Sequence, residues 1–235
     1  MAEILVAEGD QVDAGQVLGD HPPVWAYFGY DEPNYTYAPH GRQLLGELAE
    51  ATHVPVFVRT HNLLTSGNGE AALKWGSTNA YREDENGAAV YSWDLMDEIM
   101  DAVVASGCRP LVEIGFMPQA LSSRPEPYRN SSTYRLDGGC FYPPKDYEKW
   151  AQLIRRWVRH SAARHGGVED EWLWELWNEP NINYWHGAFG EYCKLFDYTE
   201  EAVHDVLPGA VLGGPHTAGA PEFLRQFLAH CSAGT

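Results

Sequence analysis

Positive charge is scarce in this sequence: 16 Lys and Arg stand against 33 Asp and Glu, a formal net charge of -17. No basic run interrupts the acidic balance, so a surface that tracks nucleic-acid phosphates is excluded. The excess negative charge favours solubility and self-repulsion and carries no information about fold. Cysteine is sparse too. Cys108, Cys140, Cys193 and Cys231 lie far apart, with no CxxC pair and no His at zinc-ligand spacing. They read as buried thiols, which argues against both a disulfide framework and a metal site. No run of about 18 apolar residues occurs, and the amino terminus has neither a basic opening nor a long apolar stretch. The expectation is a chain without membrane association, cytoplasmic in preference to secreted, with secretion left open. Internal repeats, low-complexity tracts and Ser/Gly linkers are also missing.

What is present is a folded composition, 44% apolar and 13% aromatic over 235 residues, enough to bury a core. Five short segments rich in apolar or β-branched residues are bounded by Pro, Gly or Asn: 24–29, 54–60, 109–116, 171–180 and 210–215. Helical patterns separate them. Trp150, Leu153, Ile154, Trp157 and Val158 recur at i, i+3, i+4, i+7 and i+8, with Pro143 and Pro144 before them and Gly166 after. Similar spacing marks helices at Leu44 to Leu48, Leu95 to Val103, Tyr192 to Val203 and Phe223 to Leu228. Strand and helix thus alternate five times, which predicts a parallel sheet covered by helices. No GxGxxG or GxxxxGK[ST] follows the first strand, and the polar candidates cluster just after strand ends. Both observations favour a (β/α)8 barrel over a nucleotide-binding open sheet. The chain divides into a variable extension at 1–23 and one barrel domain at 24–235.

The densest chemical signal is Trp174-Glu175-Leu176-Trp177-Asn178-Glu179-Pro180-Asn181, at the end of the fourth strand. Strand alternation puts Glu175, Trp177 and Glu179 on one face, with Pro180 breaking the ladder. Glu179 is expected at the rim beside indole rings, a setting that disfavours its charged form and suits a proton donor. Glu175, deeper in the pleat, is expected to be a buried hydrogen-bonding residue. Arg59 and His61 share a face of the second strand and are expected in the same mouth, the guanidinium beside a carboxylate and the imidazole on a hydroxyl. Aromatic loops follow strands one and four, with Phe28 in the first and Tyr184 and Trp185 in the second. Rings beside polar groups suit sugars, which present apolar C–H faces and rims of hydroxyls.

Seven runs occur in order: FGYDEPNYTY, RTHNLL, KWGSTNAY (74–81), GFMP, YPPKDYEKW (142–150), WELWNEPN and VLGGPHTAG (211–219). Together they resemble family 39 glycoside hydrolases, especially the β-xylosidase branch, over roughly residues 25–235. The resemblance implies a barrel whose acid/base glutamate ends strand four and whose nucleophilic glutamate ends strand seven. It identifies Glu179 with the acid/base, Asn178 with the residue that contacts the sugar 2-hydroxyl, and His61 with a substrate-side residue. It also implies a xylo-oligosaccharide or other β-glycoside as substrate, cleaved at its non-reducing end with retention, and no cofactor. Association of a longer enzyme into a homo-oligomer is left open.

Five βα units use up the sequence, so the nucleophile is expected beyond Thr235 and the chain is expected to be a barrel fragment with little activity of its own. Glu113, Asp31 and Glu32 are poor internal substitutes. Two other readings stay open. One is an α-L-iduronidase-like enzyme, which should offer cationic groups to a substrate carboxylate. The other is a non-catalytic carbohydrate-binding or inactive fragment.

Overall fold

The computed structural model describes residue 19 and residues 22–70, 74–130, 135–219 and 221–233. Most of the expected extension at 1–23 lies outside the described residues.

A single 3-10 turn, Val24–Ala26, leads into β1 (Tyr27–Tyr30), and a longer 3-10 segment, Pro33–Tyr37, leads into α1 (Pro39–Glu50). Then come β2 (Phe57–Thr60), a hairpin of β3 (Tyr81–Glu83) and β4 (Ala89–Tyr91), α2 (Asp94–Ala105) and β5 (Arg109–Ile114). The remainder is α3 (Tyr147–His165), the single turn α4 (Val168–Glu171), β6 (Leu173–Leu176), α5 (Phe189–His204), β7 (Val211–Gly213) and α6 (Pro221–Ala233). The five long helices and the five core strands occupy the expected places, and the strands are shorter than their apolar runs. Helix α3 begins later than the Pro143-Pro144 pair, because Asp146 caps it by accepting from Lys149 N–H at 3.0 Å. Gly166, at φ +63°, closes it.

The sheet order is β1-β2-β5-β6-β7, every neighbouring pair parallel. Sequential strands in parallel contact, each followed by a helix, build five staves of a (β/α)8 barrel. Strands β5 and β6 are buried along nearly their whole length because both faces are covered. On the outer face Trp174 meets Trp157 of α3 edge-to-face, centroids 5.7 Å apart. Between α3 and α5, Trp150 Nε1–H donates to Thr199 Oγ1 at 2.8 Å, so the indole polar atom is satisfied inside the core.

Among the described residues no helix is long and apolar enough to cross a membrane. Three of the four thiols are buried, whereas Cys231 is exposed, contrary to the sequence reading. Its helix, α6, buries only Phe227 and leaves Leu224 and Leu228 exposed as well, so position 231 falls on an open face.

Candidate active site

The polar candidates emerge where the parallel strands end, with Asp31 after β1, His61 after β2, Asn178 and Glu179 after β6 and His216 after β7, while Arg59, Glu113 and Glu175 lie within β2, β5 and β6. In a barrel this is the face that carries function.

Arg59 is the centre. The register pairs Glu113 of β5 with Glu175 of β6, and both point inward, 0% and 2% exposed. Arg59 Nη2 lies 2.5 Å from Glu113 Oε2, and Arg59 Nε donates to Glu175 Oε1. The same guanidinium reaches Asn178 Oδ1 at 3.3 Å from two nitrogens and His61 Nε2 at 2.7 Å. A planar fork with five donors can serve four acceptors at once, and lysine could not. Close approach from β1 is made possible by Gly29, where a Cβ would stand 3.1 Å from Arg59 Cβ and 3.5 Å from His61 Nε2.

One guanidinium between two buried carboxylates leaves an excess of negative charge. Burial, above all, and the neighbouring Glu175 hold a proton on Glu113 above the usual carboxylate range, against the opposing pull of Arg59. His61 is shifted the other way. Burial first, then the positive charges of Arg59 and His216, lower its pKa from 6.5 to about 3. A neutral imidazole that accepts from Arg59 at Nε2 carries its hydrogen on Nδ1, which faces Asp31 Oδ1 at 3.6 Å and Glu113 Oε2 at 3.7 Å.

These shifts have opposite signs in the stability of the fold. The folded-state value of His61 is depressed, so its contribution is complete above 6.5 and is lost as pH falls toward 3. For Glu113 the folded-state value is raised above 4.5, so its contribution is complete below 4.5 and is lost as pH rises through the raised value. Urea midpoints measured between pH 3 and 9 should therefore fall on both sides of an intermediate maximum. His61→Gln should flatten the acid limb and Glu113→Gln the alkaline limb; unchanged limbs in both variants would refute the assignment.

The pleat does not continue to Glu179 as the alternation rule predicts. Strand β6 ends at Leu176, and Trp177 and Glu179 take left-handed backbone at φ +67° and +46°. Such conformations cost about 1–3 kcal/mol each for non-glycine residues and persist where neighbours fix them. Trp177 is fixed by its ring, 5.1 Å from Phe116 and 5.1 Å from Trp185, and by Nε1–H donating to Tyr184 O at 2.7 Å. Asn178 is buried on Arg59, while Glu179 is half-buried and its N–H donates to His216 O at 2.8 Å.

The aromatic candidates separate. Tyr184 is half-buried over Phe116, rings stacked at 5.8 Å, with Trp75 edge-on at 5.2 Å. Burial raises its hydroxyl pKa, and the negative charges of Glu179 and Asp31 add to the shift, so it shares their mouth. Trp185 is 6% exposed and packs behind Trp177. Phe28 pairs in register with Val58, on the face opposite Gly29 and Arg59, and so is not brought to the cluster. Phe116 and Met117 are fully buried and serve packing. His216 was not foreseen: its Nε2 lies 2.5 Å from Glu175 Oε2. The available signal was its position just past the carboxyl end of β7 in the GGPHTAG run.

Parallel staves with a carboxylate, an asparagine and an arginine–glutamate network at their carboxyl ends define a partial (β/α)8 barrel of the kind found in glycosidases. The sequence model described as Glycosyl hydrolases family 39 matches residues 48–235, and the chain belongs to that family. It is 37% identical over 183 residues to a β-xylosidase of Geobacillus stearothermophilus, covering 75% of this chain and 33% of that protein. With a β-xylosidase of Caldicellulosiruptor saccharolyticus it shares 38% identity over 141 residues, 59% of this chain and 28% of that one. A monomeric β-xylosidase from Caulobacter crescentus superposes with a TM-score of 0.72 at 28% identity, covering 88% of this chain and 38% of the other. The chain therefore spans about a third of the length of the curated relatives it matches.

Proposed function

We propose that this chain supplies the proton-donating side of a retaining β-xylosidase site, with Glu179 as acid/base. The observation that carries the reading is the placement of Glu179, half-buried at the carboxyl end of β6 next to an Asn178 held by Arg59, in a family 39 chain. Retention requires a second carboxylate about 5–5.5 Å away to attack the anomeric carbon. That group is assigned to a strand other than the five of this sheet. Glu113 is a poor substitute, being fully buried under Arg59 and disposed to hold its proton.

Asn178 is assigned to the sugar 2-hydroxyl and His61, neutral with a hydrogen on Nδ1, to a further hydroxyl. Tyr184 offers a ring face, backed by Trp185 through Trp177. Arg59 orients Asn178 and His61 in this reading. Its charge is committed to Glu113 and Glu175, so it has little left to offer a substrate carboxylate, and a neutral sugar is favoured over a uronide.

The active enzyme containing this chain should release xylose from an aryl β-xyloside, with the β-anomer appearing first by proton NMR. Initial release of the α-anomer would refute retention. Faster turnover of an aryl α-L-iduronide than of the xyloside would overturn the neutral-sugar reading.

A further inference from the structure

The turn after β7 lies against the turn that carries Glu179, and three hydrogen bonds stitch them together. Glu179 N–H donates to His216 O at 2.8 Å. Asn181 Nδ2–H donates to Ala218 O at 3.2 Å, and Ala218 N–H returns a bond to Asn181 Oδ1 at 2.9 Å. The β7 turn is itself anchored through one side chain. His216 Nε2 stands 2.5 Å from Glu175 Oε2, and the other oxygen of that buried carboxylate receives Arg59 Nε. A continuous path thus runs from Arg59 through Glu175 and the His216 ring to the backbone of Glu179.

Glu179 has need of such an anchor. Its φ of +46° is a strained setting, and Pro180 after it has no N–H to offer a neighbouring strand. Proton transfer tolerates little displacement: a shift of about 1 Å in a positioned group costs on the order of 100-fold in rate. His216 itself is 45% exposed on its side chain, so one edge of the ring is fixed on Glu175 while the rest remains at the mouth.

We infer that His216 is a positioning residue for Glu179, pinning the 214–219 turn to Glu175 so that the turn holds the proton donor in place. The inference rests on the reading of Glu179 as acid/base. Removal of the ring leaves the backbone carbonyl that receives Glu179 N–H and frees the turn that bears it. The damage then falls on the steps in which Glu179 gives or takes a proton, and much less on sugar binding.

The test compares His216→Ala, His216→Asn and His216→Gln in the active enzyme, on xylobiose and on an aryl β-xyloside whose leaving group departs without protonation. His216→Ala should lower kcat on xylobiose by about 10- to 100-fold, with KM within about 2-fold, and should slow the burst of phenol from the activated substrate, which reports glycosylation alone, by no more than about 3-fold. Gln, whose amide spans the distance from Cα to Glu175, should restore most of the loss. Asn, one methylene shorter, should resemble Ala and keeps the test alive if the Ala variant does not fold. Equal losses in the glycosylation step of both substrates, a rise in KM at constant kcat, or equivalent behaviour of Asn and Gln would overturn the inference. Glu179→Ala serves as the reference. If it lacks leaving-group dependence, the acid/base reading fails; if it shows that dependence and His216→Ala does not, the inference on His216 alone fails.

Discussion

Glu179→Ala should slow hydrolysis of xylobiose by about 10²–10⁴-fold, the usual contribution of a positioned general acid. An aryl xyloside with a strongly acidic phenol should lose far less in the glycosylation step, because such a leaving group departs as a stable anion. A retaining enzyme uses the same carboxyl twice, as acid toward the leaving oxygen and as base toward water. The activated substrate should therefore show a burst of phenol followed by a slow steady state, as the covalent intermediate waits for an unassisted water. KM for that substrate should fall together with kcat, since the intermediate accumulates. Single-turnover and steady-state rates on the two substrates check both halves of the argument. Proportional losses in every phase would point to general distortion of the site and remove Glu179 from the acid/base role.

Much of the fold is legible in the order of residues because its determinants are local. The i, i+3, i+4 rows from Trp150 to Val158 announce α3, and the apolar runs ending in Arg59, Glu113 and Glu175 announce strands buried on both faces. Strand periodicity does not announce the β3–β4 hairpin, although Asn86-Gly87 between Arg82 and Val90 is a strong turn signal; its strands are three residues each and lack a long alternating run. At the site, alternation along β2 correctly puts Arg59 and His61 in one mouth. It fails past Leu176, where Trp177 and Glu179 turn left-handed. Those two conformations are held by Phe116, Trp185, Tyr184 and His216, residues distant in sequence or in later loops, so no local pattern encodes them. Glu113 shows the same limit. As a sequence letter it is one carboxylate among many, and only the pairing of β5 with β6 sets it beside Glu175 under a single guanidinium.

Arg59→Met should cost about 3–5 kcal/mol in unfolding free energy at pH 8, the loss expected when one partner of a buried ion pair is removed. The substitution leaves Glu113 and Glu175 facing each other on adjacent strands, 0% and 2% exposed, beside the two histidines and the Asn62 N–H that donates to Glu113 at 3.0 Å. His61 cannot take the place of the lost cation without paying for its burial, which already holds it neutral. The cheaper response is protonation of the carboxyls. The Glu113 value, already raised by burial, then rises further without Arg59, so the folded variant binds protons that the unfolded chain releases, and stability falls as pH rises. The deficit should accordingly be smaller at pH 5 than at pH 8 in urea titrations. Arg59→Lys keeps the charge but not the fork that reaches Glu113, Glu175, Asn178 and His61 together, and should fall between wild type and Met. Arg59→Met with Glu113→Gln should recover part of the loss, because one buried charge is gone and the amide can donate to Glu175. A pH-independent deficit, or no recovery in the double variant, would show that Arg59 stabilises the barrel by packing its stem and not by holding two carboxylates apart.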